Sequence, residues 1–317
     1  MRRLTALFCA MLLVFSLFLP AVRAEDGLRQ LEEALMDDAR EVEVADSFRI
    51  AVDAGDLSAV QGLDPDWENI LILGTDTGNA QLNYGRTDAM MVLSVNTRTG
   101  ELKLTSLVRD MLVDIPGLNN QNRINTANAF GGPLLAMKTV NQVLGLNIAR
   151  YASINFGGFV RVIDHLGGVS LVLSPGEAGI IGLSGSEEAR LLNGKQALEY
   201  VRIRSLDSNF GRNERQRKLL TALLAQVKEK DMSEVMDAAA EVLALVATNL
   251  TTAELMPLLL AALKGGGQIV PLSLPAEGQY RLTQTDSGAS VVAFDAEAVR
   301  QSFHQFVYGQ DAPAASK

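Results

Sequence analysis

The sequence predicts an α/β fold, three-layer α-β-α with a central mixed sheet, on three observations. From Trp67 onward, apolar runs of strand length alternate with longer amphipathic stretches of helix length. The turn residues Asn96-Thr97-Arg98-Thr99-Gly100 separate AMMVLSV from ELKLTSLV, a hairpin that makes part of the sheet antiparallel. The chain has 317 residues, 48% of them hydrophobic, enough to build a sizeable core.

The elements follow in order. ILIL (70–73) reads as a short buried strand ending at Gly74-Thr75-Asp76, and the hairpin comes next. PLLAMKTVNQVLG is a helix, with Pro133 at its start and Gly145 at its end. YASINF is a strand, GGFVRVIDHLGG a helix and VSLVL a strand. The second half opens with a helix around GKQALEYV, a loop over 205–211 and a long amphipathic helix from about Arg212 to Lys230. Two more helical patterns cover 233–247 and 251–263 before Gly265-Gly266-Gly267 breaks the run. Strands at IVPLSLP, YRLTQ and SVVAF lead to a closing helix, DAEAVRQSFHQFVYG. No internal repeat or second hydrophobic unit calls for another core, so residues 65–309 read as one domain and 310–317 as a disordered tail.

Residues 1–24 carry a basic start (Arg2, Arg3), an apolar run from Leu4 to Leu19 and Val22-Arg23-Ala24. That pattern predicts export, through a signal peptide or an uncleaved signal anchor. Residues 25–64 hold twelve acidic side chains against three basic ones, and Leu28, Leu31, Leu35 and Val42 suggest a short amphipathic helix within an acidic spacer.

Composition excludes several chemistries. Cys9 is the only cysteine and lies in the leader, so disulfides, thiolate metal sites and a cysteine nucleophile are out. His165 and His304 are too few for a three-histidine metal site and read as capping or core residues. A net charge of −9 and 5% aromatic residues argue against nucleic acid as a partner. Carboxylates, arginines, hydroxyls and a bound metal remain.

In this acidic chain, YVRIRSLDSNFGRNERQRKLL (200–220) gathers Arg202, Arg204, Arg212, Arg215 and Arg217 against Asp207 and Glu214. Arg212 and Arg215 fall in the first turn of the predicted helix, where the helix dipole disfavours cations by about 0.3–1 kcal/mol unless an anion sits between them. The alternative is a solvated charged face, to which Arg217 and Lys218 belong. Two further stretches place charge at strand ends, where ligand sites form in open α/β sheets: Asp76 with Arg86-Thr87-Asp88, and Arg109-Asp110. Each aspartate alone could be a turn-former; together with the arginines they suggest metal plus phosphate. Mg²⁺ takes few carboxylates and completes its octahedron with phosphate oxygens and water, which suits Asp76 and Asp88. Arginine forks suit phosphate.

ILGTD, GRTDAMMVLSVN, TSLVRDMLVDIPG, RINTANAFGGP, the 157–168 stretch, LNGKQALEYVRIRS and FGRNERQ, in that order, resemble the LytR-CpsA-Psr family of cell-envelope proteins over 69–309. The resemblance implies an extracytoplasmic phosphotransferase that moves a polyprenyl-pyrophosphate-linked glycopolymer, such as teichoic acid or capsule, onto peptidoglycan. It implies metal-associated aspartates at Asp76 and Asp88, and pyrophosphate-binding residues at Arg86, Arg109, Arg123, Arg202, Arg204, Arg212 and Gln216. It also implies catalytic roles for Asp76, Asp88 and Arg109, with Mg²⁺ as cofactor. Asn209 stands where the family commonly has aspartate, and Arg123 where it often has lysine. A lipid-phosphate-binding regulatory module and a pyrophosphate hydrolase would use the same residues.

Overall fold

The computed structural model describes residues 44, 46–57, 60–76, 84–183, 186–203, 206, 209–228, 232–286 and 288–313. The leader, the spacer helix, Arg204, Asp207 and the end of the tail lie outside the described residues. The chain runs β1 (Trp67–Thr75), β2 (Thr87–Asn96), β3 (Leu102–Leu107), the two-residue strands β4 (Leu112–Val113) and β5 (Asn122–Arg123), then helix α1 (Ala127–Leu144). There follow β6 (Arg150–Asn155), α2 (Phe156–His165), β7 (Val169–Leu173), α3 (Pro175–Ile180), β8 (Ser186–Leu192), α4 (Gly194–Arg202) and α5 (Asn209–Lys228). The last third comprises α6 (Met232–Leu245), β9 (Ala247–Thr248), α7 (Thr252–Lys264), β10 (Ile269–Leu274), β11 (Tyr280–Gln284), β12 (Ser290–Phe294) and α8 (Ala296–Tyr308).

Six strands form the central sheet in the order β10-β3-β2-β1-β6-β9. β10 with β3 and β1 with β6 pair parallel, while β3 with β2, β2 with β1 and β6 with β9 pair antiparallel. The sheet is therefore mixed, as the early hairpin requires.

Strand periodicity divides the sheet into two apolar faces. Leu71, Leu73, Met90, Val92 and Leu107 face α1 and α8, packing with Leu135, Val140, Val299 and Phe303. Val95 and Leu102 face the opposite way, against Leu258, Ala261 and Ala262 of α7. Each fully buried leucine or phenylalanine contributes about 1.5–3 kcal/mol over its exposed state. A second cluster, from Val169 and Leu171 through Tyr200, Val201 and Leu219, joins α4 and α5 to the hairpin β7–β8.

Segment 46–57, expected to belong to the acidic spacer, packs on the domain. Phe48, Ile50, Val52 and Leu57 join the main core, and the Ile50 amide donates to the Phe130 carbonyl at 2.9 Å. α1 starts six residues before Pro133, and the chain breaks helical geometry at Gly131 and Gly132 before continuing. Gly145 closes it at φ 65°, left-handed geometry that glycine adopts without a Cβ penalty. α3 and β8 were not anticipated. The signal for α3 was legible: Ser174 and Glu177 form a reciprocal capping box with Pro175 at the first helical position.

His304 is buried in α8, its Nε2 2.8 Å from the Leu144 carbonyl and 3.1 Å from that of Gly145, so it caps the end of α1. Burial lowers its pKa below the ordinary histidine value. Among the described residues no helix is long and apolar enough to cross a membrane.

Candidate functional site

The site forms where β1 ends and β2 begins. Pairing runs in step to Gly74–Ala89 and then jumps to Thr75–Thr87, leaving Asp88 as the extra residue of a β-bulge. Bulges re-aim a side chain relative to the pleat. Here the Asp88 carboxylate meets two guanidiniums: Arg109 Nη1 donates to Oδ1 at 2.9 Å, and Arg212 Nη1 lies 3.6 Å from the same oxygen. Gln216, one turn beyond Arg212 on α5, donates from Nε2 to the Asp88 carbonyl at 3.3 Å. α5 thus grips Asp88 through both side chain and main chain.

Asp76 and Arg86 flank the segment joining β1 to β2. The Asp76 amide donates to the Arg86 carbonyl at 3.1 Å, and Arg86 Nε lies 3.4 Å from Asp76 Oδ2. Asn128, from the first turn of α1, donates to the Gly85 carbonyl at 2.9 Å and holds this strand entry against the helix. Burial raises the Asp76 pKa, Arg86 pulls it back, and the nearby Asp88 charge raises it again.

Arg109 and Asp110 follow β3. Asp110 Oδ1 lies 3.5 Å from Arg109 Nε and 3.4 Å from Arg123 Nε. Arg123 also donates from Nε to the Ser290 carbonyl at 3.0 Å, tying β5 to β12. Arg86, Arg109, Arg123 and Arg212 are all buried, Arg212 at 2% exposure, and among the described residues Asp76, Asp88 and Asp110 lie beside them. Arginine forks gathered in this way suit a phosphate-bearing ligand.

Of the residues singled out in the sequence, Asp76, Asp88, Arg86, Arg109, Arg212 and Gln216 come together. Arg123 adjoins them through Asp110. Arg202 is exposed at the end of α4, its guanidinium 4.4 Å from the centre of the Phe156 ring, at the mouth of β6. Arg204 lies outside the described residues. α5 starts three residues before the predicted position, so Arg212 ends its first turn and Arg215 falls in the second. Arg215 turns away from Asp88: its Nη2 donates to the Ile203 carbonyl at 2.7 Å, and Nη1 lies 3.9 Å from Glu177 Oε1. Arg217 pairs with Glu214 on the same helix, but its side chain is only 16% exposed, so it does not lie on the solvated face expected of it.

Asn125 was legible only as part of RINTANAF. It is fully buried, its amide donates to the Arg109 carbonyl at 3.2 Å, and its carbonyl accepts from Thr87 Oγ1 at 3.4 Å. Both polar atoms of its side chain are buried without a hydrogen-bond partner. No periodicity marks such a residue, because its environment is made by β2 and β3 together.

Asp76 and Asp88 are the carboxylates that could hold a divalent cation. The Asp88 charge adds to the rise in the Asp76 pKa, a repulsion that a cation would relieve. Among the described residues no group of three or more His, Cys, Asp or Glu side chains stands ready for a metal. A cation here would thus take two protein carboxylates and complete its shell from phosphate and water, the pattern of Mg²⁺.

A mixed-sheet α/β core with buried, paired guanidiniums and carboxylates at its strand ends defines an α/β protein with a charged centre beside its sheet. The chain belongs to the LytR_cpsA_psr family, whose model matches residues 33–306. It is 40% identical over 164 residues to the Enterococcus faecalis polyisoprenyl-teichoic acid–peptidoglycan teichoic acid transferase TagU, covering 50% of this chain and 53% of that protein. The match thus spans about half the length of that relative. It is 30% identical over 244 residues to the Staphylococcus aureus regulatory protein MsrR, covering 75% of this chain and 74% of that one. Bacillus subtilis TagV superposes with a TM-score of 0.64 at 25% identity, over 77% of this chain and 98% of that one.

Proposed function

We propose that this protein is an extracytoplasmic phosphotransferase that attaches a polyprenyl-pyrophosphate-linked glycopolymer to peptidoglycan through a phosphodiester. The single observation that carries the reading is Asp88, bulged out of β2 and held between Arg109 and Arg212. The likeness to the teichoic acid transferase supports the polymer class.

In this reading Arg109, Arg212 and Gln216 hold the diphosphate, with Arg86, Arg202 and Arg204 completing its charge neutralisation. Asp76 and Asp88 hold Mg²⁺, which when bound supplies positive charge to the diphosphate oxygens. A sugar hydroxyl of peptidoglycan attacks the phosphorus next to the glycopolymer. A new P–O bond forms, the P–O–P bridge breaks, polyprenyl phosphate leaves, and the hydroxyl proton is released. Phosphoryl transfer rests mainly on positioning and charge neutralisation, so a site without histidine or cysteine is sufficient.

A second reading, capture of the lipid phosphate without turnover, is favoured by the likeness to a protein named as regulatory over three quarters of the chain. Purified protein, a polyprenyl diphosphate-linked glycan, Mg²⁺ and isolated peptidoglycan strands separate the readings. Polyprenyl monophosphate should be released and glycan should become bound to the strands. Tight lipid binding with no release would support the regulatory reading, and release without linkage would support hydrolysis.

A further inference from the structure

A concavity lies alongside the hairpin β11–β12, bordering the arginine cluster at Asp110. It measures about 640 Å³ and is lined by Asp110, Leu282, Thr283, Gln284, Ser290, Val291 and Val292, within the roughly 300–1,000 Å³ of small-molecule sites. We infer that this groove binds a neutral N-acetylhexosamine stretch of the glycan strand that accepts the transferred polymer; the assignment of an acceptor rests on the function proposed above.

Its chemistry is that of a sugar site. Leu282 is 75% exposed, an apolar surface on which the C–H face of a pyranose ring can lie. Thr283, Gln284 and Ser290 bring two hydroxyls and an amide, groups that both donate and accept, as sugar hydroxyls do. Among the described residues Asp110 is the only ionised side chain in the lining. Asp110 is paired with Arg109 and Arg123, so its charge is balanced, and the lining contributes no cation of its own to attract a phosphate-bearing chain. That suits a neutral glycan better than the anionic donor chain.

The groove is also wired to the candidate site. Asp110 Oδ1 is 3.5 Å from Arg109 Nε, and Arg109 reaches Asp88 at 2.9 Å, so two ionic contacts separate the groove wall from Asp88. Arg123 joins Asp110 to the Ser290 carbonyl, and the Val292 amide donates to the Asp110 carbonyl at 2.8 Å. The hairpin is thereby fixed in register with the arginines. Arg109 and Arg123, buried themselves, thus connect the groove wall to the candidate site.

Chitotetraose, a neutral N-acetylglucosamine oligomer, is the probe, titrated calorimetrically into the full chain, with farnesyl diphosphate titrated in parallel. The variants are Leu282→Asp and the double change Thr283→Ala with Gln284→Ala, on an exposed strand where thermal unfolding should report an unchanged fold. Wild type should bind chitotetraose, and both variants should bind it about tenfold or more weakly, with farnesyl diphosphate affinity unchanged. No binding by wild type, or equal binding by the variants, would overturn the inference. Parallel loss of farnesyl diphosphate affinity would reassign the groove to the donor and overturn it as well. Chitotetraose binding that is lost in the variants, in a protein that fails to bind farnesyl diphosphate at all, would uphold the groove and sink the proposed function instead.

Discussion

Arg109, just past the end of β3, and Asp88, at the start of β2, meet at 2.9 Å where a bulge in β2 displaces Asp88 from the strand register. Breaking a buried pair costs about 3–5 kcal/mol when one charge is left alone, and less here because Arg109 keeps Asp110 at 3.5 Å, so about 3 kcal/mol is expected. Asp88→Ala should therefore lower unfolding free energy in urea by that order, and Asp88→Asn by less. Excess farnesyl diphosphate should return part of the loss, because an anion can take the place of the carboxylate between Arg109 and Arg212. No recovery would mean that the guanidiniums do not receive phosphate.

Arg212 and Arg215 sit three apart on α5 and should behave differently. Arg215→Ala removes the contact to the Ile203 carbonyl and the neighbour of Glu177, so it should destabilise by about 1–3 kcal/mol and leave diphosphate affinity intact. Diphosphate affinity that falls with Arg215→Ala as far as with Arg212→Ala would return the two arginines to one shared role.

Arg202 lies over Phe156, an exposed cation–π contact worth about 0.5–1 kcal/mol. Arg202→Ala should barely move the melting temperature yet weaken farnesyl diphosphate binding. Arg202→Lys should restore binding only in part, since lysine lacks the planar fork. Equal affinity in all three proteins would leave Arg202 as a surface residue.

His304 supplies a pH signature. Its pKa is lowered in the folded state, chiefly by burial, so neutral imidazole favours the fold. Its contribution is present above the unfolded value of about 6.5 and is lost as pH falls through the depressed folded value. His304→Gln should flatten the decline of stability on that descent. An equally steep decline in the variant would place the sensitivity in the carboxylates.

Much of the fold was legible because periodicity and punctuation agree. Gly145 ends α1, the Asn96–Gly100 turn joins β2 to β3, and the Gly265–Gly267 run follows α7. β8 was hidden because SEEARLL carries charge on a strand with no alternating apolar face. The candidate site was legible where an arginine or aspartate lies at a strand end, as at Asp76 and Arg109 just after β1 and β3 and Asp88 at the start of β2. It was obscure where a side chain's role depends on which way a helix turns. Arg215 looked equivalent to Arg212 until α5 was seen to begin at Asn209, which directs one guanidinium to Asp88 and the other to the Ile203 carbonyl. Asn125 and the Asp110 groove depend on contacts between distant elements, which no local pattern encodes.

The most direct test of a diphosphate centre at Asp88 is calorimetric titration of farnesyl diphosphate, with Mg²⁺, into wild type and Arg212→Ala. Loss of a desolvated guanidinium–phosphate contact should weaken binding by about 2–5 kcal/mol, thirtyfold or more. Equal affinity in the two proteins, both folded, would contradict a phosphate role for the buried arginines.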